Sequence, residues 1–471
     1  MKKKLLLLLF FITALISCKK EKTSEPSSES NQKLPITLWA KGALSSSNNL
    51  IYIASVSDKN GNIYSAGNIT GSGIVDFGNG VKVSGSAPNS SNLLLTKYNS
   101  SGEIEWAKSV ISEEKSSSEY NFVEIDRSGN IYVIGSTGGG NYDFGNNIKL
   151  NIDASTNNKI FLKYKPSGEI EWAKVFTASE LTYILITVDL NGNSFVFYLN
   201  NTFRIVKFNS TGEKEWEKIV LADSKNLFFH YTKTDGEGNI YIVGFSEGKG
   251  SYNFNNGLNI SAVSEKRNPM ILKFNNLGEI QWGKILTLSN NPSEYNKISI
   301  DENGFIYLTG MIFGAGIYDF GNNITISNNN DFQNGVLIKI SPQGEIQWAK
   351  TLYSSSGHSF WYSITVDDNN NIYIAGIIQR PGINDFGNNV SITTSSWDGD
   401  QILFKYNSSG DAEWAKRIAS SYAMIIHSLS FEQTGVFYAT GILRTEYFDF
   451  GNGVFIKNNS YNNALIIKFK N

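Results

Sequence analysis

A pentapeptide of the form Gly-Glu-x-x-Trp recurs along this 471-residue chain at nearly constant spacing. Five copies and one Gly-Asp-x-x-Trp variant end at Trp106, Trp172, Trp216, Trp282, Trp348 and Trp414, at intervals of 66, 44, 66, 66 and 66 residues. A second pattern, exemplified by VEIDRSGNIYVIG at 123–135, occurs seven times. Self-similarity at a fixed period of this size indicates a repeat architecture, in which each repeat packs on the next.

The shortest repeat defines the structural unit. Its 44 residues match a propeller blade of four antiparallel strands, which we call A to D from the second pattern to the tryptophan strand. The other repeats carry 22 additional residues between strands B and C, and each addition contains a copy of Asp-Phe-Gly-Asn or a close variant. The copies lie at 76–80, 143–147, 253–257, 319–323, 385–389 and 449–453. Because Gly and Asn tolerate positive φ, this pattern predicts an added hairpin with a tight turn, pinned to its blade by the Phe.

The two ends of the chain complement each other. The last repeat stops at Asn471 without a tryptophan strand, whereas residues 34–43 contain such a strand, with Trp39, but no preceding partner. Trp39 precedes Trp106 by 67 residues, which keeps the register. We therefore predict an all-β, seven-bladed propeller over residues 34–471, with residues 34–42 completing the last blade and closing the ring.

These repeats resemble the seven-bladed β-propeller (SBBP) repeat family of bacterial surface and secreted proteins. The Gly-Glu-x-x-Trp strand also resembles the tryptophan-docked blades of quinoprotein-like propellers. Such a resemblance implies a fold but no activity. A structural role, docking each outer strand onto its sheet, is predicted for Trp39, Trp106, Trp172, Trp216, Trp282, Trp348 and Trp414. The Asp before each A–B turn and the Lys in each strand C are likewise predicted to be structural, because they recur in every blade or nearly every blade.

The N-terminus predicts a cellular address. Residues 1–17 combine three lysines with a short apolar run, as a secretory signal peptide does, and Leu15–Cys18 resembles the bacterial lipobox. Cys18 is the only cysteine, so we predict lipidation there, a flexible tether over 18–33, and a propeller anchored to the bacterial envelope, with outer membrane favoured. The alternative is an ordinary signal peptide in which the cysteine is incidental.

Composition argues against several classes of function. Lys and Arg number 41 against 43 Asp and Glu, so no electrostatic footprint for nucleic acid is present. No cysteine nucleophile exists beyond residue 18, and the three histidines lie in different blades without metal-ligand spacing. We predict no metal, no cofactor and a monomer. Paired carboxylates from two loops remain open as a catalytic alternative.

Strand order places the B–C insertions and the D–A connections on one face, which we call the long-loop face. Variable loops on a rigid scaffold are where recognition usually occurs. Six residues before the strand-A acid, an aromatic recurs at Tyr52, Tyr120, Tyr183, Phe229, Tyr295 and Trp361, with Ile426 in the seventh repeat. These side chains are predicted either to form a ligand platform or, as the repetition favours, to pack between blades. Trp397 is not repeated and is predicted to be exposed for recognition.

Three functions are compatible with these features. The chain is expected to be a binding module for a protein, peptide or glycan; an envelope assembly scaffold and a carbohydrate-active hydrolase or lyase are the alternatives. The third repeat has no insertion, which predicts a notch in the long-loop face.

Overall fold

A computed structural model describes residues 33–471 except for short gaps at 44–47, 154–157, 177–182, 201, 222–225, 288–290, 330, 355–356, 434 and 458–461. Residues 32–471 form one compact unit that contains every described strand, so a chain begun at Gln32 retains all contacts of the sheets. The predicted signal peptide, Cys18 and nearly all of the predicted tether lie outside the described residues. No described helix is long and apolar enough to span a membrane.

The described structure is built from 41 strands. The first, β1 (Ile36–Gly42), precedes blade 1. Blade 1 contains β2 (Asn49–Ser57), β3 (Ile63–Gly71), β4 (Ile74–Asp76), β5 (Lys82–Ser84), β6 (Ala87–Tyr98) and β7 (Ile104–Val110). Blade 2 contains β8 (Ser118–Ile125), β9 (Ile131–Thr137), β10 (Gly140–Asp143), β11 (Lys149–Ile152), β12 (Asn158–Tyr164) and β13 (Ile170–Phe176). Blade 3 contains β14 (Tyr183–Val188), β15 (Ser194–Asn200), β16 (Thr202–Phe208) and β17 (Lys214–Leu221).

The second half repeats this plan. Blade 4 contains β18 (Leu227–Thr234), β19 (Ile240–Glu247), β20 (Gly250–Asn253), β21 (Asn259–Ala262), β22 (Arg267–Phe274) and β23 (Ile280–Ile285). Blade 5 contains β24 (Ser293–Ile300), β25 (Ile306–Phe313), β26 (Gly316–Asp319), β27 (Thr325–Asn328), β28 (Gln333–Ile340) and β29 (Ile346–Thr351). The short β30 (Tyr353–Ser354) leads to blade 6, which contains β31 (Ser359–Val366), β32 (Ile372–Ile378), β33 (Gly382–Asp385), β34 (Ser391–Thr394), β35 (Asp400–Tyr406) and β36 (Ala412–Ser420). Blade 7 contains β37 (Met424–Gln433), β38 (Val436–Leu443), β39 (Tyr447–Asp449), β40 (Phe455–Lys457) and β41 (Asn463–Lys470).

Each blade has one antiparallel sheet of four strands in the order A-B-C-D. The seven innermost strands contact one another in sequence, and β2 returns to β37, so the sheets form a ring around a central channel. The predicted all-β, seven-bladed propeller is thereby confirmed. The ring closes as predicted, because β1 pairs antiparallel with β41, from Ile36 opposite Lys470 to Gly42 opposite Leu465.

The hydrophobic core is divided among the blade interfaces. Seven clusters of buried side chains each join two adjacent blades, and the seventh joins blade 7 to blade 1. Strand B supplies residues to both sides. In β9, for example, Ile131 and Val133 are buried against one neighbouring blade and Tyr132 against the other. Every strand B is covered on both faces, which explains its continuous apolar sequence.

The tryptophans dock between blades and not only onto their own sheets. The Trp106 Nε1 of blade 1 donates to the carbonyl of Pro166, in the C–D turn of blade 2, at 3.2 Å. A Cβ at Gly168, which has φ +81, would lie 3.0 Å from the Trp106 ring, so glycine permits the ring to pack against that turn. The sequence prediction located this contact within one sheet. Glycine in the C–D turn and tryptophan in strand D are therefore partners from consecutive repeats.

The other repeated polar residues have structural partners. The Lys163 Nζ of strand C lies 2.8 Å from Glu171 in strand D, and equivalent ion pairs occur in three other blades. In blade 7 the strand-C Lys468 pairs instead with Glu432 of strand A, at 2.6 Å. Asp126 Oδ1 accepts hydrogen bonds from the backbone N–H groups of Ser128 and Asn130, both at 2.9 Å, and so caps its turn.

Six blades carry the added hairpin, and blade 3 does not. In blade 2, the turn residues Gly145, Asn146 and Asn147 all have positive φ, as the Asp-Phe-Gly-Asn pattern predicts. Phe144 stacks on Tyr142 and packs on the core of its blade. The Asn146 side-chain N–H donates to the carbonyl of Ile170 at the start of β13, which fixes the hairpin to the outer strand.

Candidate functional site

The long-loop face is formed as predicted, because hairpins contact the D–A connection that precedes their blade. β30 pairs with β33, and Ser112 in the connection before blade 2 bridges to Tyr142 of the hairpin. In blade 1 the Asn48 side chain exchanges two hydrogen bonds with the backbone of Gly73. These contacts join neighbouring blades at the rim, so the loops of this face are mutually supported.

Exposed aromatic side chains are confined to segments of this face. Within the described residues the large, well-exposed aromatics are Phe228, Tyr353, Trp397, Tyr422, Tyr447 and Phe455. All six lie in hairpins, B–C loops, D–A connections or the strand ends beside them. In the described part of the A–B and C–D turns of the opposite face, the large, well-exposed apolar residues are the aliphatic Leu190 and Leu277. The two faces therefore differ in the surface that they offer to a partner.

Trp397 has the most exposed of these aromatic side chains, at 73 %, and its loop is firmly held. The buried Asp400 accepts hydrogen bonds from the backbone N–H groups of Ser395 and Ser396 at 2.7 and 3.1 Å. Arg417 Nε neutralises the same carboxylate at 2.8 Å. An exposed indole on a fixed loop loses little conformational entropy on binding, which is typical of an interface anchor.

A second aromatic side chain belongs to the same patch. Tyr422 is 66 % exposed in the connection between blades 6 and 7, and its hydroxyl donates to Asp398, whose carboxylate raises the pKa of Tyr422. Ser421 binds the same loop through its N–H to the Gly399 carbonyl at 2.9 Å. We call Trp397, Asp398 and Tyr422 the rim patch.

The repeated aromatics predicted from the sequence have a different environment. At most 3 % of each side chain is exposed at Tyr52, Tyr120, Phe229, Tyr295 and Trp361. Ile426, the seventh member of the set, is buried too, and the Tyr183 side chain lies outside the described part. Burial of this kind corresponds to packing between blades, the interpretation that their repetition favoured. These rings contribute no surface to the long-loop face in this structure.

The central channel contains a cavity of about 460 Å³ lined by strand A of all seven blades. On one side large side chains cross the channel: the Phe122 and Tyr231 rings are 5.9 Å apart, edge to face. On the other side small residues line the wall, among them Ala54, Ser363 and Ser428. The side chains that line the cavity therefore differ in size around the ring.

One carboxylate lines this cavity, and both of its oxygens have partners. Glu124 Oε1 lies 2.6 Å from Lys233 Nζ, and Oε2 accepts hydrogen bonds from the N–H of Val188 at 2.9 Å and the hydroxyl of Thr187 at 3.3 Å. Burial lowers the pKa of Lys233, but the charge of Glu124, its hydrogen bond and the neighbouring Tyr231 together outweigh burial, so the pKa lies above its usual value. Because Glu124 is the single carboxylate of the lining, the cavity does not supply the acid pair that a glycosidase requires.

Lys297 of β24 has no such partner. Its Nζ lies over the Tyr231 ring, 4.6 Å from the centroid, and no acidic side chain of the described residues is within ion-pair distance. Burial lowers the pKa of Lys297 to about 8. This lysine was not singled out in the sequence, although its strand-A position carries a different residue in nearly every blade.

The structure brings together two histidines that the sequence placed in separate blades. His230 and His427 both line the channel cavity, and burial lowers the pKa of each. His427 Nδ1 hydrogen-bonds to the carbonyl of Tyr52 at 2.7 Å, and the charges of Arg444 and Lys297 lower its pKa further. His358 is instead at the rim, with its ring 5.1 Å from that of Phe332. The described residues include no group of His, Cys, Asp or Glu that could hold a metal ion.

The ring of seven four-stranded sheets defines the class of the molecule as a seven-bladed β-propeller. No family model matches the chain, and no curated protein matches it. Solved structures similar to it include a protein of unknown function from Dyadobacter fermentans, 10 % identical, with a TM-score of 0.42 over 93 % of this chain and 99 % of that one. BamB from Moraxella catarrhalis is 10 % identical, with a TM-score of 0.39 over 93 % and 100 % of the two chains. A polysaccharide lyase described as an ulvan lyase is 12 % identical, with a TM-score of 0.45 over 87 % and 93 %. Similarity this remote leaves the fold assignment to the sheets themselves.

Proposed function

We propose that this chain is a cell-envelope protein, lipid-anchored at Cys18, whose propeller is a binding module for a glycan, peptide or protein. Its long-loop face is the binding surface, and its blades belong to the SBBP repeat family. The observation that carries the proposal is the confinement of exposed aromatics to that face, where the rim patch presents Trp397 on a fixed loop. Aromatic side chains on rigid supports provide large contact areas for sugars and peptides at low entropic cost.

The alternatives have less support from the described residues. A hydrolase or lyase needs positioned acids, and the only carboxylate of the channel lining is occupied by Lys233. An assembly scaffold would use the same face with one dedicated partner. The structural similarities to BamB and to a polysaccharide lyase are too distant to favour either function.

The test is binding of residues 32–471 to glycan and envelope-protein panels. We expect saturable binding that weakens at least about tenfold in Trp397→Ala, because a central aromatic anchor contributes roughly 2 kcal/mol or more. Leu277→Ala is the matched control, since it removes an exposed apolar side chain from the opposite face. Binding that is unchanged in Trp397→Ala, or no binding on either panel, would contradict the proposal. Recovery of one stoichiometric envelope partner would support the scaffold instead.

A further inference from the structure

The charges of the channel cavity do not balance. Lys159, Lys233 and Lys297 line it, against the single carboxylate of Glu124. Lys233 pairs with that carboxylate at 2.6 Å, and Lys159 hydrogen-bonds to Ser136 Oγ and interacts electrostatically with Glu119, which lies outside the lining. Lys297 is thus the cation of the cavity that has neither an ion pair nor a hydrogen bond among the described residues.

The contrast with other lysines of the chain shows that this is unusual. In five blades the strand-C lysine, although mostly buried, is paired with a glutamate at 2.6–2.9 Å. Where the glutamate is absent, Lys273 and Lys339 donate to backbone carbonyls instead. For Lys297 the described structure offers only the face of Tyr231. Lys297 is partly exposed to the cavity but shielded from bulk water, and an ammonium in such a place without an anion is costly, so it commonly indicates a ligand.

The surroundings of Lys297 fit a ligand that also carries hydroxyl groups. Ser299, two residues along the same strand, and Thr365, on blade 6, line the cavity, and both residues are partly exposed, so their hydroxyls are available to a ligand. The volume of about 460 Å³ lies in the usual range for small-molecule sites. Lys297 has neither an ion pair nor a hydrogen-bond acceptor among the described residues, so its ammonium can supply the positive charge for one carboxylate.

We propose that the channel cavity binds a small hydroxylated monocarboxylate, of the size of a sugar acid, with its carboxylate on Lys297 and its hydroxyl groups towards Ser299 and Thr365. This site is separate from the rim patch and does not rest on the function proposed above. The ligand's charge would neutralise the ammonium, and Tyr231 would form the apolar wall beneath it.

Binding should depend on pH through Lys297. The groups that face it are Tyr231, with a pKa raised by burial to about 12, the Lys233–Glu124 pair, Lys159, and the two histidines, whose pKa values are lowered. Lys297, with a pKa of about 8, is therefore the group expected to change charge first above neutral pH. A carboxylate requires the protonated form, so affinity should fall about 30-fold between pH 7 and pH 9.5.

The experiment is calorimetric titration of residues 32–471 with D-glucuronate, with D-glucose as the neutral probe and acetate as the bare carboxylate. At pH 7 we expect one glucuronate site, weaker binding of acetate and none of glucose. Lys297→Met should weaken glucuronate binding at least tenfold, while Lys59→Met, which removes an exposed lysine of an A–B turn, should leave it unchanged. Both variants are checked for an unchanged circular dichroism spectrum.

The proposal is overturned if glucose binds as tightly as glucuronate, if Lys297→Met binds glucuronate within twofold of the unaltered chain, or if the unaltered chain binds no glucuronate. Equal affinities for acetate and glucuronate would contradict the proposed contacts between the ligand's hydroxyl groups and Ser299 and Thr365.

Discussion

Lys233 and Lys297 lie on adjacent blades of the same channel but in opposite electrostatic surroundings. Lys233 is paired with the buried carboxylate of Glu124, whereas Lys297 lies over the aromatic ring of Tyr231. Removal of one partner of a buried ion pair leaves the other charge without compensation, while removal of an unpaired buried charge relieves a cost. The same substitution at these two sites should therefore change stability in opposite directions.

We expect Lys233→Met to lower the free energy of unfolding by about 2 kcal/mol, because Glu124 is then buried without a cation and Lys233 itself is partly solvated. Lys297→Met should leave the free energy unchanged or raise it. Urea denaturation at pH 7 measures both. Equal destabilisation in the two variants would show that Glu124 is not the specific partner of Lys233.

For single residues, the sequence predicted the environment of repeated positions better than that of positions that occur only once. Tyr52 and its described equivalents are buried, which agrees with packing between blades, and Trp397, which is not repeated, is exposed, but its role in recognition stays a prediction. Lys297 could not be identified because its significance lies in what surrounds it. Whether Lys297 has a counter-ion depends on residues of β8, β18 and β24, which are far apart in the chain.

Among the elements, the added hairpin has the clearest sequence code. Its turn residues have the positive φ that the Gly-Asn pattern predicts, and its Phe contacts its own blade. The same hairpins also pair with the preceding D–A connection, as β33 does with β30. That second contact was not predicted, because the connections vary in sequence from blade to blade.

Phe144→Ala tests whether the phenylalanine holds the hairpin of blade 2. We expect a loss of about 2 kcal/mol, less than for a fully buried Phe, because Phe144 is half-buried against Tyr142 and the blade core. Phe455→Ala, in the hairpin of blade 7, removes an exposed ring and should cost less than about 0.5 kcal/mol. Both are measured by urea denaturation. A Phe144→Ala variant as stable as the unaltered chain would assign the fastening to the Asn146 hydrogen bond instead.

Blade 3 shows what the hairpin normally covers. Where the hairpin is absent, Glu217 of the outer strand binds Arg204 at 2.9 Å and Lys214 at 2.6 Å. The hairpin of blade 4 also reaches across, since the Asn255 N–H donates to the carbonyl of Val220 in β17 at 3.3 Å. The predicted notch is therefore a surface of charged residues partly covered by the next blade, and whether it gives lateral access to the channel stays a prediction.

For the whole molecule, the repeat period and the complementary ends were enough to predict the number of blades and the closing strand. The docking of each tryptophan on the following blade was not predicted, because a linear repeat does not say whether a contact lies within one copy or between two. Trp414 shows the difference. The outer strand of blade 7 is β1, which does not follow β41 through a C–D turn, so no such turn packs on Trp414. The buried Nε1 of Trp414 has no acceptor in the described structure, and neither has that of Trp348, although the turn at Gly410 packs on the Trp348 ring.

Removal of β1 tests the closure. A chain that begins at Asn49 should unfold at a markedly lower temperature than one that begins at Gln32, because β41 loses its outer neighbour. It should also self-associate, since an unpaired strand edge is a template for another chain. Thermal unfolding and size-exclusion chromatography measure the two effects. A shortened chain that stays monomeric and equally stable would show that β1 does not close the ring energetically.

The pairing of β1 with β41, which closes the ring, is also the contact that should break most easily under mechanical load. A load applied at the N-terminal end of β1, directed across the strand axis, acts on the Ile36–Lys470 pair first and then on each following pair, up to Gly42–Leu465. Backbone bonds that are loaded one at a time rupture at much lower force than bonds loaded together in shear. A propeller held by that end would yield by peeling away one strand, which opens the ring while the six continuous blades stay folded. Force applied at the N-terminal end of β1 would then open the ring and with it the central channel.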